Sequence, residues 1–109
     1  MINEIDIKDL EDYQEAAYGT AMPSALNRPY LFSGLAGEVG EVCSVYAKSV
    51  RDGVLDRTNL KKELGDVLWF VAVLSKDYGF TLSEVASANI TKLKDRQARG
   101  TLSGNGDQR

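Results

Sequence analysis

Histidine is absent from all 109 residues of the chain, and that absence excludes more chemistry than any single residue type supports. Ser-His and Cys-His nucleophilic catalysis, HExxH zinc sites and the Glu-x-x-His pattern of di-iron bundles all require imidazole. Reactive chemistry in this chain must use carboxylates, lysines, hydroxyls and, where one is bound, a hard metal ion. Cysteine is almost as scarce. Cys43 stands alone, so no intrachain disulfide can form and a reducing compartment is the default. Its neighbours Val42 and Val45 predict a buried, inert thiol. Long apolar runs are missing too: the longest, Val67 to Leu74, is far below the ~20 residues needed to span a bilayer. The start, Met1 to Asp6, lacks the basic-then-apolar order of a signal peptide. A cytoplasmic protein with no membrane partner is expected. With 13 basic against 16 acidic residues, the net charge of −3 also lacks the basic surface of a nucleic-acid binder. An acidic protein that handles a polyphosphate needs a cation between its carboxylates and the substrate.

What remains is the composition of an ordinary soluble domain, 43% apolar and 27% charged. The length suits one domain with little stability to spare, for which oligomerisation is a natural supplement. Periodicity and punctuation predict four helices. The first runs from about Ile7 to Thr20, with Leu10, Tyr13, Ala17 and Ala21 on one side. Pro23, Asn27 and Pro29 mark a loop, and a second helix runs from near Tyr30 to about Val50, before the turn Arg51-Asp52-Gly53. Thr58 is the expected N-cap of a third helix that ends at Tyr78 and Gly79. Thr81 and Glu84 fit a capping box opening a fourth helix, which fades near Arg99 and Gly100. No segment alternates with period two over a useful length, so the expected class is all-α. Residues 1–99 form the expected domain and 100–109 a Gly-rich polar tail.

The second and third helices echo each other. Glu38-Val39-Gly40-Glu41-Val42 returns as Glu63-Leu64-Gly65-Asp66-Val67, each reading acid, aliphatic, glycine, acid, valine. Acids three apart share a helix face. On a wheel of about 100° per residue, Glu38 falls between Val42 and Val45, and Glu63 between Val67 and Phe70, inside the apolar arcs. Glu41 and Asp66 lie at the arc edges, so all four acids are expected to face the helix–helix seam. Ionised carboxylates withdrawn from water need a counter-charge. Lys61 and Lys62 point to other sectors, which leaves a divalent cation, and a carboxylate-only set favours Mg²⁺ or Mn²⁺ over zinc. One acidic pair on a helix is usually just solvated. Two in matching phase on the apolar side favour the cation. Gly34, Gly37 and Gly40 each cost roughly 1 kcal/mol in a helix relative to alanine, which implies close approach by another helix or by a ligand. Of the glycines, Gly40 and Gly65 are expected to border the site.

At these residues the sequence resembles a known family. Gly34-Leu-Ala-Gly-Glu-Val-Gly-Glu-Val42 and Lys62-Glu-Leu-Gly-Asp-Val-Leu-Trp69 are similar to the two signature helices of MazG-like nucleotide pyrophosphohydrolases, in the all-α NTP pyrophosphatase superfamily. Tyr13-Gln14, Thr20-Ala21, Lys48, Asn89-Ile-Thr-Lys-Leu93 and Arg96 extend the similarity over nearly the whole chain. The resemblance implies a four-helix MazG-like bundle, a homodimer or homotetramer whose neighbouring subunits complete the site, and Mg²⁺-dependent hydrolysis of a nucleoside triphosphate to the monophosphate and pyrophosphate. Glu38, Glu41, Glu63 and Asp66 would be the metal ligands, with Glu38 and Glu41 the first candidates for general base. Lys92, Lys48 and Arg96 would grip the polyphosphate, with Asn89 three residues before Lys92 on one face. An ordinary solvated basic face (Lys92, Lys94, Arg96, Arg99) is the alternative reading. Tyr13 and Gln14 are candidates for a base pocket, and Trp69 either packs at a subunit interface or stacks on a base. Two competing functions stand beside this one: a non-catalytic helical oligomerisation module, and a phosphoribosyl-ATP pyrophosphohydrolase.

Overall fold

The computed structural model describes residue 2 and residues 4–100; the expected tail from 101 onward lies outside them. Among the described residues there are four α-helices and no strand: α1 (Leu10–Thr20), α2 (Arg28–Asp52), α3 (Arg57–Asp77) and α4 (Leu82–Arg99), with a 3-10 turn at Pro23–Ala25. The all-helical expectation holds.

Each helix start is set by a short polar side chain. Asp9 accepts from the amide of Asp12, Asn27 from Tyr30, Asp56 from Asn59 and Thr81 from Glu84, each satisfying one amide that the first turn leaves open. Three expected boundaries shift as a result. The first helix begins at Leu10 rather than Ile7. The second begins at Arg28, because Asn27 is its cap and Pro29 sits in the first turn, where a missing N–H costs nothing. The third is capped by Asp56, not Thr58. Gly53 ends α2 in the left-handed region, φ 79°, and its amide donates to the Ser49 carbonyl.

Helices α2 and α3 form an antiparallel hairpin. Arg28 at the start of α2 pairs with Asp77 at the end of α3, 2.8 Å, while Gly53 to Asp56 closes the other end. About two turns from the Arg28–Asp77 end, the Phe70 ring lies where a Cβ on Gly34 would stand, so the absence of a side chain there brings the two helices together. Gly37, Gly40 and Gly65 meet no such neighbour. Helix α1 crosses α3 on its other side and buries Ala17; α4 joins through Leu82. The core comprises Ala17, Leu31, Phe70, Ala72, Val73 and Leu82, with Leu31 and Val73 fully enclosed. Burying each of those two side chains contributes about 1.5–3 kcal/mol.

Much apolar surface stays outside this core. Val39, Cys43, Tyr46 and Val50 recur at helical spacing along α2 and all are exposed, as are Leu64 and Leu68 on α3. Cys43 is therefore not the buried thiol expected from its neighbours: its face of α2 is left exposed by the described residues. The radius of gyration, 16.6 Å, exceeds the about 13 Å of a compact domain of this length. No helix among the described residues is long and apolar enough to cross a membrane.

Candidate metal centre

The α2–α3 hairpin gathers acids from both strands of the echo. Glu38, Glu63 and Asp66 each offer a carboxylate oxygen, and these oxygens lie within 4.8 Å of one another. Glu38 and Glu63 are half-buried and Asp66 is exposed, so the group opens to solvent on one side. Glu41 falls outside this trio but remains close. Burial chiefly, then the charges of Asp66, Glu63 and Glu41, push the Glu38 carboxyl above its usual range. Like charges about 5 Å apart repel by roughly 1 kcal/mol in water and more where solvent is thinned. A divalent ion removes that repulsion, and three hard oxygen donors with no nitrogen or sulfur beside them fit Mg²⁺ or Mn²⁺.

Tyr13 stands next to this group. Its hydroxyl is held protonated to higher pH than an ordinary phenol, first by burial and then by the Asp66 charge. Its chain neighbour Gln14 does something different from the base contact expected of it. Gln14 is buried; its amide nitrogen donates to the carbonyls of Ala72 (3.1 Å) and Phe80 (3.0 Å), and its amide oxygen accepts from the Leu82 N–H (3.1 Å). Both of its N–H donors and its carbonyl oxygen are engaged in joining α1, α3 and the start of α4, which makes it a structural tie between the helices.

Asn89 and Lys92 share a face, as their spacing required. With Phe80, Glu84, Val85 and Ala88 they line a cavity of about 560 Å³. None of the three clustered acids lines it, so within one chain the basic and acidic halves of the expected site are apart. Lys48 is also remote from the trio. It lines a separate cavity of about 330 Å³ beside the α2–α3 turn, with Ser49, Asp52, Asp56 and Asn59. Ten residues of helix separate it from Glu38, about 15 Å. Arg96 is buried, 2% exposed, and so belongs neither to a solvated basic face nor to an open phosphate grip. Trp69 is half-buried against α1 and the core. Its indole N–H donates to the Thr20 hydroxyl at 2.8 Å and its ring meets Phe70 edge-on, because α1 lies across that side of α3. Phe80 escaped the sequence reading; an aromatic between the helix-ending Gly79 and the helix-capping Thr81 was the available signal.

The described residues form an all-helical fold with a carboxylate cluster across a helix hairpin and no imidazole beside it. The profile of the MazG nucleotide pyrophosphohydrolase domain matches residues 28–100, spanning α2 to α4. The chain belongs to that family. It is also 39% identical over 109 residues to the Gene 37 protein of Mycobacterium phage L5, a match that covers 89% of this chain and 96% of the relative. No solved structure matches.

Proposed function

We propose that the protein hydrolyses nucleoside triphosphates to nucleoside monophosphates and pyrophosphate, with Mg²⁺ as its metal and Mn²⁺ as a substitute. The observation that carries this reading is the convergence of Glu38, Glu63 and Asp66 within 4.8 Å; membership of a nucleotide pyrophosphohydrolase family gives its direction. When bound there, a divalent cation neutralises phosphate oxygens and steadies the charge that develops on them. Glu38, Glu63 and Asp66 would hold it. Glu41, exposed and outside the trio, keeps a free carboxylate for general-base work. It takes a proton from the attacking water as the water oxygen bonds to the α-phosphorus. The bond from that phosphorus to the bridging oxygen breaks, pyrophosphate leaves, and the proton passes on to solvent.

A second copy of the chain belongs to this proposal. The uncovered apolar stripe of α2 supports a homodimer or homotetramer, and so does the separation of Asn89 and Lys92 from the trio. In such an assembly the Asn89–Lys92 face of one subunit meets the acids of another, with Lys92 taking phosphate oxygens.

Incubation with a panel of NTPs and dNTPs and Mg²⁺, with products resolved by chromatography, tests the reaction. Monophosphate and pyrophosphate in equal amounts are expected. Glu41→Gln should lower turnover by about 10²-fold or more without altering the helical fold. Release of orthophosphate and diphosphate, or full turnover by Glu41→Gln, contradicts the scheme. Turnover of phosphoribosyl-ATP alone would assign the substrate elsewhere.

A further inference from the structure

The register of the α2–α3 hairpin is marked by contacts at four levels. Arg28 pairs with Asp77 at one end, 2.8 Å apart. Next, Gly34 stands against the Phe70 ring. Further on, Glu38 and Asp66 offer oxygens to one carboxylate group. Beyond them, Val45 and Asn59 line the cavity near the turn. From Gly34 onward, each step forward along α2 matches an equal step back along α3. Glu38 comes four residues after Gly34 and Asp66 four before Phe70, about 6 Å of rise on either helix. The glycine–ring contact therefore lies one turn below the carboxylates.

That contact is close, and it is braced. Phe70 is buried, with the Trp69 ring edge-on at 4.9 Å and the Tyr30 ring at 5.8 Å between centroids. Trp69 is held in turn by α1. Its indole N–H donates to the Thr20 hydroxyl at 2.8 Å, and that hydroxyl donates to the Ala17 carbonyl at 2.7 Å. The Phe70 ring cannot swing aside without disturbing these neighbours. Gly37 and Gly40 meet no neighbour, so the close approach of the helices falls at Gly34.

Helix separation governs how far apart the carboxylates stand, because Glu38 is on α2 while Glu63 and Asp66 are on α3. That distance bears on the choice of cation. Mg²⁺ takes oxygens at about 2.0–2.1 Å in near-ideal octahedral geometry, whereas Ca²⁺ accepts about 2.3–2.6 Å and looser arrangements. Widening or loosening the hairpin withdraws Glu38 from the other two acids and penalises the smaller, stricter ion more. Resting on the cation site proposed above, we infer that Phe70 against Gly34 is a positioning contact that sets the bite of the trio and favours Mg²⁺ over Ca²⁺. Neither residue supplies a ligand atom; both act through Glu38.

Electron paramagnetic resonance of Mn²⁺ bound to the full chain, with Mg²⁺ and Ca²⁺ as displacing ions, gives each affinity and tests this. Gly34→Ala should weaken Mg²⁺ by about tenfold or more and Ca²⁺ by less, so that the preference for Mg²⁺ falls. Phe70→Leu, which removes the ring without crowding, should lower the preference in the same direction, and it decides the matter if Gly34→Ala does not fold. The double variant should regain part of what Gly34→Ala loses, since the Cβ then has room. Gln14→Ala loosens the fold elsewhere and should keep the wild-type preference. Equal losses for both ions in Gly34→Ala, an unchanged preference in Phe70→Leu, no recovery in the double variant, or an equal fall in Gln14→Ala overturns the inference. A wild-type chain that binds no Mn²⁺, or a Glu63→Gln variant that binds it undiminished, refutes the cation site and the inference with it. Binding that is lost in Glu63→Gln, beside an unchanged preference in Gly34→Ala, refutes the positioning role alone.

Discussion

The side-chain oxygen of Gln14 on α1 accepts the backbone N–H of Leu82, 3.1 Å away at the first residue of α4. The same amide donates to two backbone carbonyls, at Ala72 and Phe80. This one side chain therefore ties three helices in a place where water is excluded.

Gln14→Ala strands the Phe80 carbonyl and the Leu82 N–H, while the Ala72 carbonyl keeps its place in the α3 ladder. Leaving buried polar groups unsatisfied costs about 1–3 kcal/mol each, partly relieved by water entering the space. A net loss of about 2–4 kcal/mol and a melting temperature lower by about 10 °C or more are expected in a circular-dichroism melt. A base-contact role would instead raise KM and leave the melting temperature alone.

A metal bound at the acidic trio, as proposed, would make stability metal-dependent. Binding to the folded state at 100 times Kd adds about 2.7 kcal/mol by mass action. Mg²⁺ should therefore raise the melting temperature of the wild-type protein, and chelation should reverse the gain. Glu63→Gln should abolish most of that shift, as followed by scanning calorimetry. An undiminished Mg²⁺ response in the variant would place the ion elsewhere.

Proton binding at Glu38 gives a separate signature in the metal-free protein. Its carboxyl is pushed above the ordinary value of 4.5 by burial and by Asp66, Glu63 and Glu41. The folded state thus holds this proton more tightly than the unfolded chain does. The stability it contributes is complete below the unfolded value and is lost as pH rises through the folded one. In a chelating buffer, the melting temperature of wild type minus that of Glu38→Gln should fall as pH rises from about 4 towards neutrality. A difference that rises over that window would contradict the clustering of charge around Glu38.

At Gly34 the helix sacrifices about 1 kcal/mol of propensity for close approach. Gly34→Ala sets a Cβ onto the Phe70 ring, and overpacking of this kind costs about 1–3 kcal/mol. The substitution should lower stability despite the better helix former. Phe70→Leu in the same chain should restore part of the loss, as read from a double-mutant cycle of urea midpoints.

The architecture was legible in the sequence where local chemistry decided it. Period-3.6 patterning gave four helices, and Thr81 capped α4 as its spacing required. Boundaries slipped where two capping residues competed: Asp56 and Thr58 are both acceptable, and the chain geometry after Gly53 chose the earlier one. The echo of Glu38-x-x-Glu41 in Glu63-x-x-Asp66 pointed to the seam, and three of those four acids converge there. The contacts of Gln14 and Trp69 were not legible because a wheel describes one helix at a time. Their partners lie 49 to 68 residues away in sequence, on helices whose crossing no local pattern encodes. Cys43 misled for the complementary reason: its flanking valines are apolar, but the described residues supply no cover for that side of α2.

The central claim is that Glu38, Glu63 and Asp66 hold a hard divalent ion. Crystals grown with Mn²⁺ and measured near the manganese absorption edge test it most directly. An anomalous peak within about 2.0–2.4 Å of oxygens from all three carboxylates is the predicted result. Well-ordered carboxylates with no peak among them at saturating Mn²⁺ would contradict the account.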